Sequence, residues 1–326
     1  MSPRGLLRLS WRPYRFALPQ TLITSRGALG VRSGWLLRLR NAEGSCGWGE
    51  AAAPLWVEPA PALHEAVEAI PPELTPADLE ALLPRLPACL ACALGMALAE
   101  LQGCGAAVQG GWRLGPASAW LLPAGESALA SLDPLLGAAP DQPLTFKWKV
   151  AAVDDAQERD LLELILQRLP ASASLRLDAN GGWDVATAHR WVDRLVEEPR
   201  LQWLEQPLAP GQLGELRWLA RRLPVALDES LPLLLPQQRT AWPGWLVRRP
   251  LMEGDPRPFL RELQAGLPRQ MISTAFETGI GRRWVEHLAA LQAQGPTPAA
   301  PGFAPGWRPE GNLFAAEPER VWEAAA

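Results

Sequence analysis

A chain of 326 residues with a formal net charge of -4 and a pI near 5.6 has room for one large α/β domain or two ordinary ones, and it gives no electrostatic case for nucleic acid or an anionic membrane surface. Every leucine-rich stretch is cut by Pro, Arg or Glu before it reaches the ~18 apolar residues of a membrane span. Glycine and proline make up about 19 % of the chain, short of the roughly 25–30 % of low-complexity sequence, so a soluble cytoplasmic protein with small molecules as its partners is expected.

The first 42 residues hold eight Arg and no acid, as a transit peptide would, yet Gly5–Trp11 and Trp35–Arg40 carry strand patterns. Leu6 to Pro54 reads as strand, loop, strand, strand, with Thr24-Ser25-Arg26-Gly27 and Gly30 marking a flexible excursion. Helical patterns follow over Pro59–Ile70, Pro76–Leu83 and Ala88–Leu101, so residues 1–115 form an α+β unit. Cys46, Cys89, Cys92 and Cys104 are too few for a disulfide framework and suit a reducing compartment. Cys89 and Cys92 form a CxxC with neither a second pair nor a nearby His, so helix packing is the better reading than zinc. His64, His189 and His287 fall in amphipathic helical patterns without ligand partners, as surface or boundary residues do.

After Gly115 short apolar segments alternate with amphipathic helices. The strands are Ser118–Leu122, Leu144–Val150, Ser174–Leu177, Leu201–Leu204, Pro224–Leu227, Trp245–Val247 and Gln270–Thr274. The helices between them include Asp155–Leu169, Trp183–Glu197, Gly211–Leu223, Pro256–Gln264 and Gly281–Gln292. Such a rhythm predicts a parallel barrel over residues 116–300. Pro296 to Gly311 reads as a long surface connection, and residues 301–326 as a tail that returns to the N-terminal unit.

Lys147 and Lys149 are the only lysines; the other 29 cations are arginine. Guanidinium stays protonated, whereas an ammonium can be tuned for proton transfer. Strand periodicity puts both lysines on one face, where each lowers the other's pKa. The bland alternative is an edge strand with two chance lysines. Asp178, Glu205 and Asp228 close the next three strands, 27 and 23 residues apart, one β/α repeat each. Any one of them could be a helix N-cap. Three in register, facing two lysines, would repel one another unless a hard divalent cation joined them, and all-oxygen ligation suits Mg²⁺.

The ordered set Lys-x-Lys, Asp-x-Asn, Glu-Gln-Pro, Asp-Glu-Ser and Phe-Glu-Thr-Gly-Ile-Gly, from Lys147 to Gly281, resembles the muconate-lactonizing branch of the enolase superfamily. The run Arg176-Leu177-Asp178-Ala179-Asn180 and the loop Thr24-Ser25-Arg26-Gly27 are similar to its o-succinylbenzoate synthase family. The resemblance implies a modified TIM barrel of the (β/α)7β type, with an N-terminal α+β capping domain completed by the C-terminal tail. It implies Lys149 as acid and base with Lys147 beside it, Asp178, Glu205 and Asp228 as ligands of Mg²⁺ that Mn²⁺ can replace, and a small carboxylate substrate. Arg176, Arg26, Asn180, Ser273, Glu277, Thr278 and Gly279 are the positions it implies for substrate binding. The implied reaction removes water from a succinyl-hydroxycyclohexadiene carboxylate in menaquinone or phylloquinone biosynthesis. Two alternatives stand beside it, an N-succinylamino acid racemase or dipeptide epimerase of the same superfamily and a catalytically inactive binding or assembly protein. Arg249 departs from the family's lysine on the sixth strand; an arginine is no base, so racemisation is disfavoured, while a fixed positive charge there still suits dehydration.

Overall fold

The computed structural model describes residues 5–55, 61–103, 111–138 and 144–325. Cys104 lies outside the described residues. The N-terminal sheet comprises β1 (Leu7–Thr24), β2 (Gly27–Arg40) and β3 (Cys46–Ala52), followed by α1 (Pro61–Glu68), β4 (Glu73–Leu74), α2 (Pro76–Leu82) and α3 (Ala88–Leu101). Its four antiparallel strands run in the order β3-β2-β1-β4.

The segment read as a flexible excursion is instead the far half of a long hairpin. Thr24 pairs with Gly27, which leaves Ser25 and Arg26 as the whole turn. Leu18, Leu22 and Leu29 point inward onto Phe276 and Trp307, so this extension has an apolar face of its own. Pro19, which cannot donate to a ladder, lies in the register shift between Ala17 and Leu22, and it interrupts the alternation that would have marked a strand.

Helix α3 joins the two halves of the molecule. Its Ala-rich sequence lets it approach β3 closely: a Cβ on Gly47 would lie 1.9 Å from Ala97 O, and one on Gly49 1.8 Å from Ala93 O. Cys89 packs into the core of the N-terminal domain and Cys92 into the core shared with the barrel, as helix packing requires.

The barrel strands are β5 (Trp120–Leu122), β6 (Thr145–Lys149), β7 (Ser174–Asp178), β8 (Leu201–Glu205), β9 (Val225–Leu227), β10 (Trp245–Arg248) and β11 (Gln270–Ile272), parallel and in chain order. Between them run α4 (Ser127–Ala138), α5 (Asp155–Arg168), α6 (Val185–Leu195), α7 (Leu213–Leu219), α8 (Pro236–Thr240) and α9 (Pro256–Gln264), with α10 (Gly279–Ala293) after β11. Side-chain oxygens of Asp154, Asp184, Asp255 and Thr278 accept from the first backbone N–H groups of α5, α6, α9 and α10, the expected role of an acid or hydroxyl after a strand. Helix α4 was not legible, because Pro134 inside it breaks the helical pattern.

The stretch read as a surface connection closes the barrel. Gly302 N donates to Ile272 O, Thr274 N donates to Gly302 O, and Ala119 N donates to Pro301 O, so the chain there spans the gap between β11 and β5. Its Ala299, Phe303, Ala304 and Trp307 are buried. Below the mouth, Trp203, Ala226, Val247, Met271 and Ala299 fill the barrel interior. The tail ends in α11 (Pro318–Ala324), which returns to the N-terminal sheet: Trp322 packs on Trp48, and its ring lies under Arg12 and Arg38. His287, expected near the surface, is buried and accepts from Arg113 N, and burial holds its pKa below the usual value. Among the described residues no helix is long and apolar enough to cross a membrane.

Candidate active site

Strand parity builds the site. Phe146 and Trp148 of β6 face outward into the helix layer, which turns Lys147 and Lys149 inward. Lys149 pairs in register with Asp178, and Asp178 with Glu205, so three strand ends present their polar groups side by side. Asp228 follows one residue beyond β9 and Arg249 one residue beyond β10.

Lys147 Nζ lies 2.6 Å from Glu205 Oε1 and 2.7 Å from Asp178 Oδ2. Lys149 Nζ donates to Asp178 Oδ2 at 2.6 Å and to Asn180 Oδ1 at 2.8 Å. Arg249 forks onto Asp228, with Nε 3.0 Å from Oδ1, and its Nη1 donates to Thr274 O at 2.6 Å. Burial would raise the Asp178 carboxyl, but Lys147 and Lys149 hold it well below the usual range. Glu205 goes the other way: burial and the neighbouring Asp178 push it up to about 8. The expectation that the lysines lower each other fails at Lys147. Burial pulls its ammonium down, yet Asp178 and Glu205 outweigh burial and hold it above the ordinary lysine value.

Of these groups Lys147, Lys149, Asp228 and Arg249 floor a cavity of about 310 Å³ at the C-terminal mouth of the barrel, where such folds keep their chemistry, and Asp178 and Glu205 are fully buried against the lysines outside its lining. Lys147, Lys149, Asn180, Asp228, Arg249 and Ser273 line it on one side, and Leu22, Leu55, Leu121 and Phe276 give it an apolar wall. The hairpin turn closes over it. Ser25 Oγ donates to Ala179 O at 2.8 Å, and Arg26 Nη1 comes within 3.9 Å of Glu229 Oε1.

Four of the residues expected around the substrate lie elsewhere. Arg176 is fully buried beneath the floor, stacked 4.0 Å from the Trp203 ring centroid with Nε donating to Gln202 Oε1. Burial lowers its pKa to about 9 against the attraction of Glu205, and its two terminal nitrogens have no hydrogen-bond partner among the described residues. Glu277 accepts from Thr274 Oγ1 and Ala275 N, which fixes the loop after β11. Thr278 caps α10 and donates through N and Oγ1 to Glu50. A Cβ on Gly279 would lie 1.9 Å from Ala315 O, so this glycine serves close packing of the tail. Parity predicts which residues face inward, but not how deep they lie.

Sequence reasoning missed Glu50 and Glu229. Glu50 is fully buried on β3 and accepts from Tyr14 Oη, Thr278 and Gly281 N, so an acid of the N-terminal domain holds the start of a barrel helix. Its signal was an acid inside the apolar stretch Trp48 to Ala53. Glu229, beside Asp228, is pushed up to about 7 by burial and by Asp228.

The donor set fits a hard divalent cation. Asp178, Glu205 and Asp228 are buried carboxylates on adjoining strand ends, and each is paired with a cation, Lys147, Lys149 or Arg249. Among the described residues no three His, Cys, Asp or Glu side chains are already drawn together at ligating distance. Here the ammonium of Lys147 bridges two of the three acids.

Residues 142–234 match the family model described as enolase C-terminal domain-like. The o-succinylbenzoate synthase of Thermosynechococcus vestitus is 34 % identical over 97 % of this chain and 99 % of its own length. The solved structure of o-succinylbenzoate synthase from Thermosynechococcus elongatus BP-1, complexed with magnesium in the active site, superposes with a TM-score of 0.78 at 32 % identity, covering 97 % of this chain and 99 % of that one. The L-Ala-D/L-Glu epimerase of Bacillus subtilis shares the fold, with a TM-score of 0.75 at 20 % identity over 94 % of this chain and 92 % of that one.

Proposed function

We propose that this chain, which belongs to the o-succinylbenzoate synthase family of the enolase superfamily, eliminates water from 2-succinyl-6-hydroxy-2,4-cyclohexadiene-1-carboxylate to give o-succinylbenzoate. The observation that carries the reading is the pair of inward lysines meeting the acids of the next strands at the floor of one cavity. The step belongs to menaquinone or phylloquinone biosynthesis, and we assign it to the cytoplasm.

Lys149 takes the proton from the carbon that bears the ring carboxylate. The electron pair left behind moves into the ring, the bond from carbon to the hydroxyl breaks, and the same ammonium returns its proton to the leaving oxygen as water. One base on one face therefore suffices, and aromatisation drives the elimination. Asp178, Glu205 and Asp228 would hold Mg²⁺, or Mn²⁺ in its place, and the ion would supply positive charge for the substrate carboxylate. Lys147 keeps a second positive charge beside the base. Arg249, Asn180 and Ser273 contribute polar contacts from the cavity wall, Arg26 closes it from the hairpin, and Arg176 supports Glu205 from below. Glu277, Thr278 and Gly279 act through the fold.

Arg249 separates this reading from racemisation, which needs a base on each face. Arg249→Lys keeps the charge and should retain a substantial part of the dehydration, whereas Arg249→Met should cost about 2–4 kcal/mol of barrier, as loss of one electrostatic donor does. The deciding experiment follows the cyclohexadiene substrate spectrophotometrically with magnesium present. No turnover of it, together with solvent deuterium entering both enantiomers of an N-succinylamino acid, would overturn the dehydratase in favour of the racemase.

A further inference from the structure

We propose that Glu229 is a positioning residue for Lys149, acting through the side-chain amide of Asn180; the inference rests on the dehydratase reading for its kinetics but not for its spectroscopy. Asn180 stands between the two. Its Oδ1 accepts from Lys149 Nζ at 2.8 Å, and its Nδ2 donates to Glu229 Oε1 at 2.9 Å. An ammonium can only donate, so the carbonyl end of the amide faces Lys149, and its NH₂ end is left to donate to Glu229. Without that acceptor the amide is free to turn, and its other end would present N–H groups to an ammonium that accepts none.

The backbone of Asn180 is already fixed. Its N donates to Asp178 Oδ1, its φ is +46°, and its carbonyl oxygen lies 3.3 Å from Ser25 Oγ of the hairpin turn. The remaining freedom is the rotation of the amide, and Glu229 is the group that restrains it. The ammonium is then tied at two points, Asp178 Oδ2 and Asn180 Oδ1, and its direction into the cavity is set. Glu229 lines the same cavity, so a direct substrate contact is the rival role.

The two roles separate by experiment. Glu229→Leu removes the acceptor, whereas Glu229→Gln keeps one and should restore function. Positioning predicts that Glu229→Leu lowers kcat by at least about tenfold with KM within about threefold, and that Glu229→Gln recovers most of the loss. A direct contact instead predicts a raised KM with kcat kept, which would overturn the proposal. If Glu229 acts through Asn180, the double variant Asn180→Ala with Glu229→Leu costs no more than Asn180→Ala alone; additive losses would overturn it.

Because the chain has only two lysines, labelling lysine with ¹³C at the ε-carbon gives two resonances, assigned by Lys147→Arg. The Lys149 resonance should move in Glu229→Leu and return in Glu229→Gln while that of Lys147 stays. An unmoved Lys149 resonance would refute the positioning role. A moved one in a protein that leaves the cyclohexadiene untouched would refute the dehydratase reading alone. If Glu229→Leu does not fold, Glu229→Ala takes its place with the same expectations.

Discussion

Lys147 and Lys149 meet on a single oxygen: their ammonium nitrogens lie 2.7 Å and 2.6 Å from Oδ2 of Asp178. The two differ in their second partner, which is Glu205 for Lys147 and the neutral Asn180 for Lys149. Lys147 is therefore held by two carboxylates and kept charged, and Lys149, held by one, is the base we propose. Lys149→Ala should abolish turnover with the fold intact, and Lys149→Arg should be nearly as damaging, since a guanidinium stays protonated at neutral pH and cannot serve as a base. A variant of either kind within tenfold of the parent rate, about 1.4 kcal/mol of barrier, would remove Lys149 from this role.

The acids give an independent test. Activity should disappear with excess chelator and return with Mg²⁺ or Mn²⁺. Asp178→Asn, Glu205→Gln and Asp228→Asn should each weaken Mg²⁺ binding measured by calorimetry, because each removes a negative oxygen donor. Full turnover in chelator, or unchanged affinity in all three variants, would show that these carboxylates only balance Lys147, Lys149 and Arg249.

Much of this arrangement was legible in the chain, because it is periodic. A β/α repeat fixes which residues close a strand, parity fixes which face inward, and scarcity singled out the two lysines. What escaped depends on contacts between distant segments. The barrel's closure by Pro301 to Phe303 has a proline-rich sequence with no strand pattern, and it is held by β11 on one side and Ala119 on the other. Arg176 shares the parity of Asp178, but it sits two residues lower and so falls beneath the cavity, against Trp203. Glu50 and Thr278 are 228 positions apart, and no local signal couples them.

The hairpin turn gives a prediction that leaves the chemistry alone. A Cβ on Gly182 would lie 2.6 Å from Ser25 Cβ and 2.8 Å from Ala151 Cβ, so the turn rests where only glycine leaves room. Gly182→Ala should lift the turn off the loop after β7 and break the bond from Ser25 Oγ to Ala179 O. We expect KM to rise several-fold with a small change in thermal stability. If crystals of Gly182→Ala showed Ser25 in place and KM were unchanged, the turn would not depend on this seat.

Glu100 tests the joint between the domains. It sits on α3, and its carboxylate accepts from Trp48 N, from Arg283 Nη2 at 2.9 Å and from Trp284 Nε1. Burial raises its pKa to about 7, and Arg283 only partly offsets this. Between its ordinary value of 4.5 and about 7 the folded chain therefore binds a proton that the unfolded chain has released. In that window stability must fall as pH rises, and outside it this group contributes no slope. Glu100→Gln has no such proton, so the melting temperature of the parent minus that of the variant should drop by several degrees between about pH 5 and about pH 8. The comparison isolates the titration, because whatever else the substitution costs is the same at both pH values. If the difference instead stayed flat between these pH values, the attraction of Arg283 would outweigh burial, and the carboxylate would be charged across the whole range.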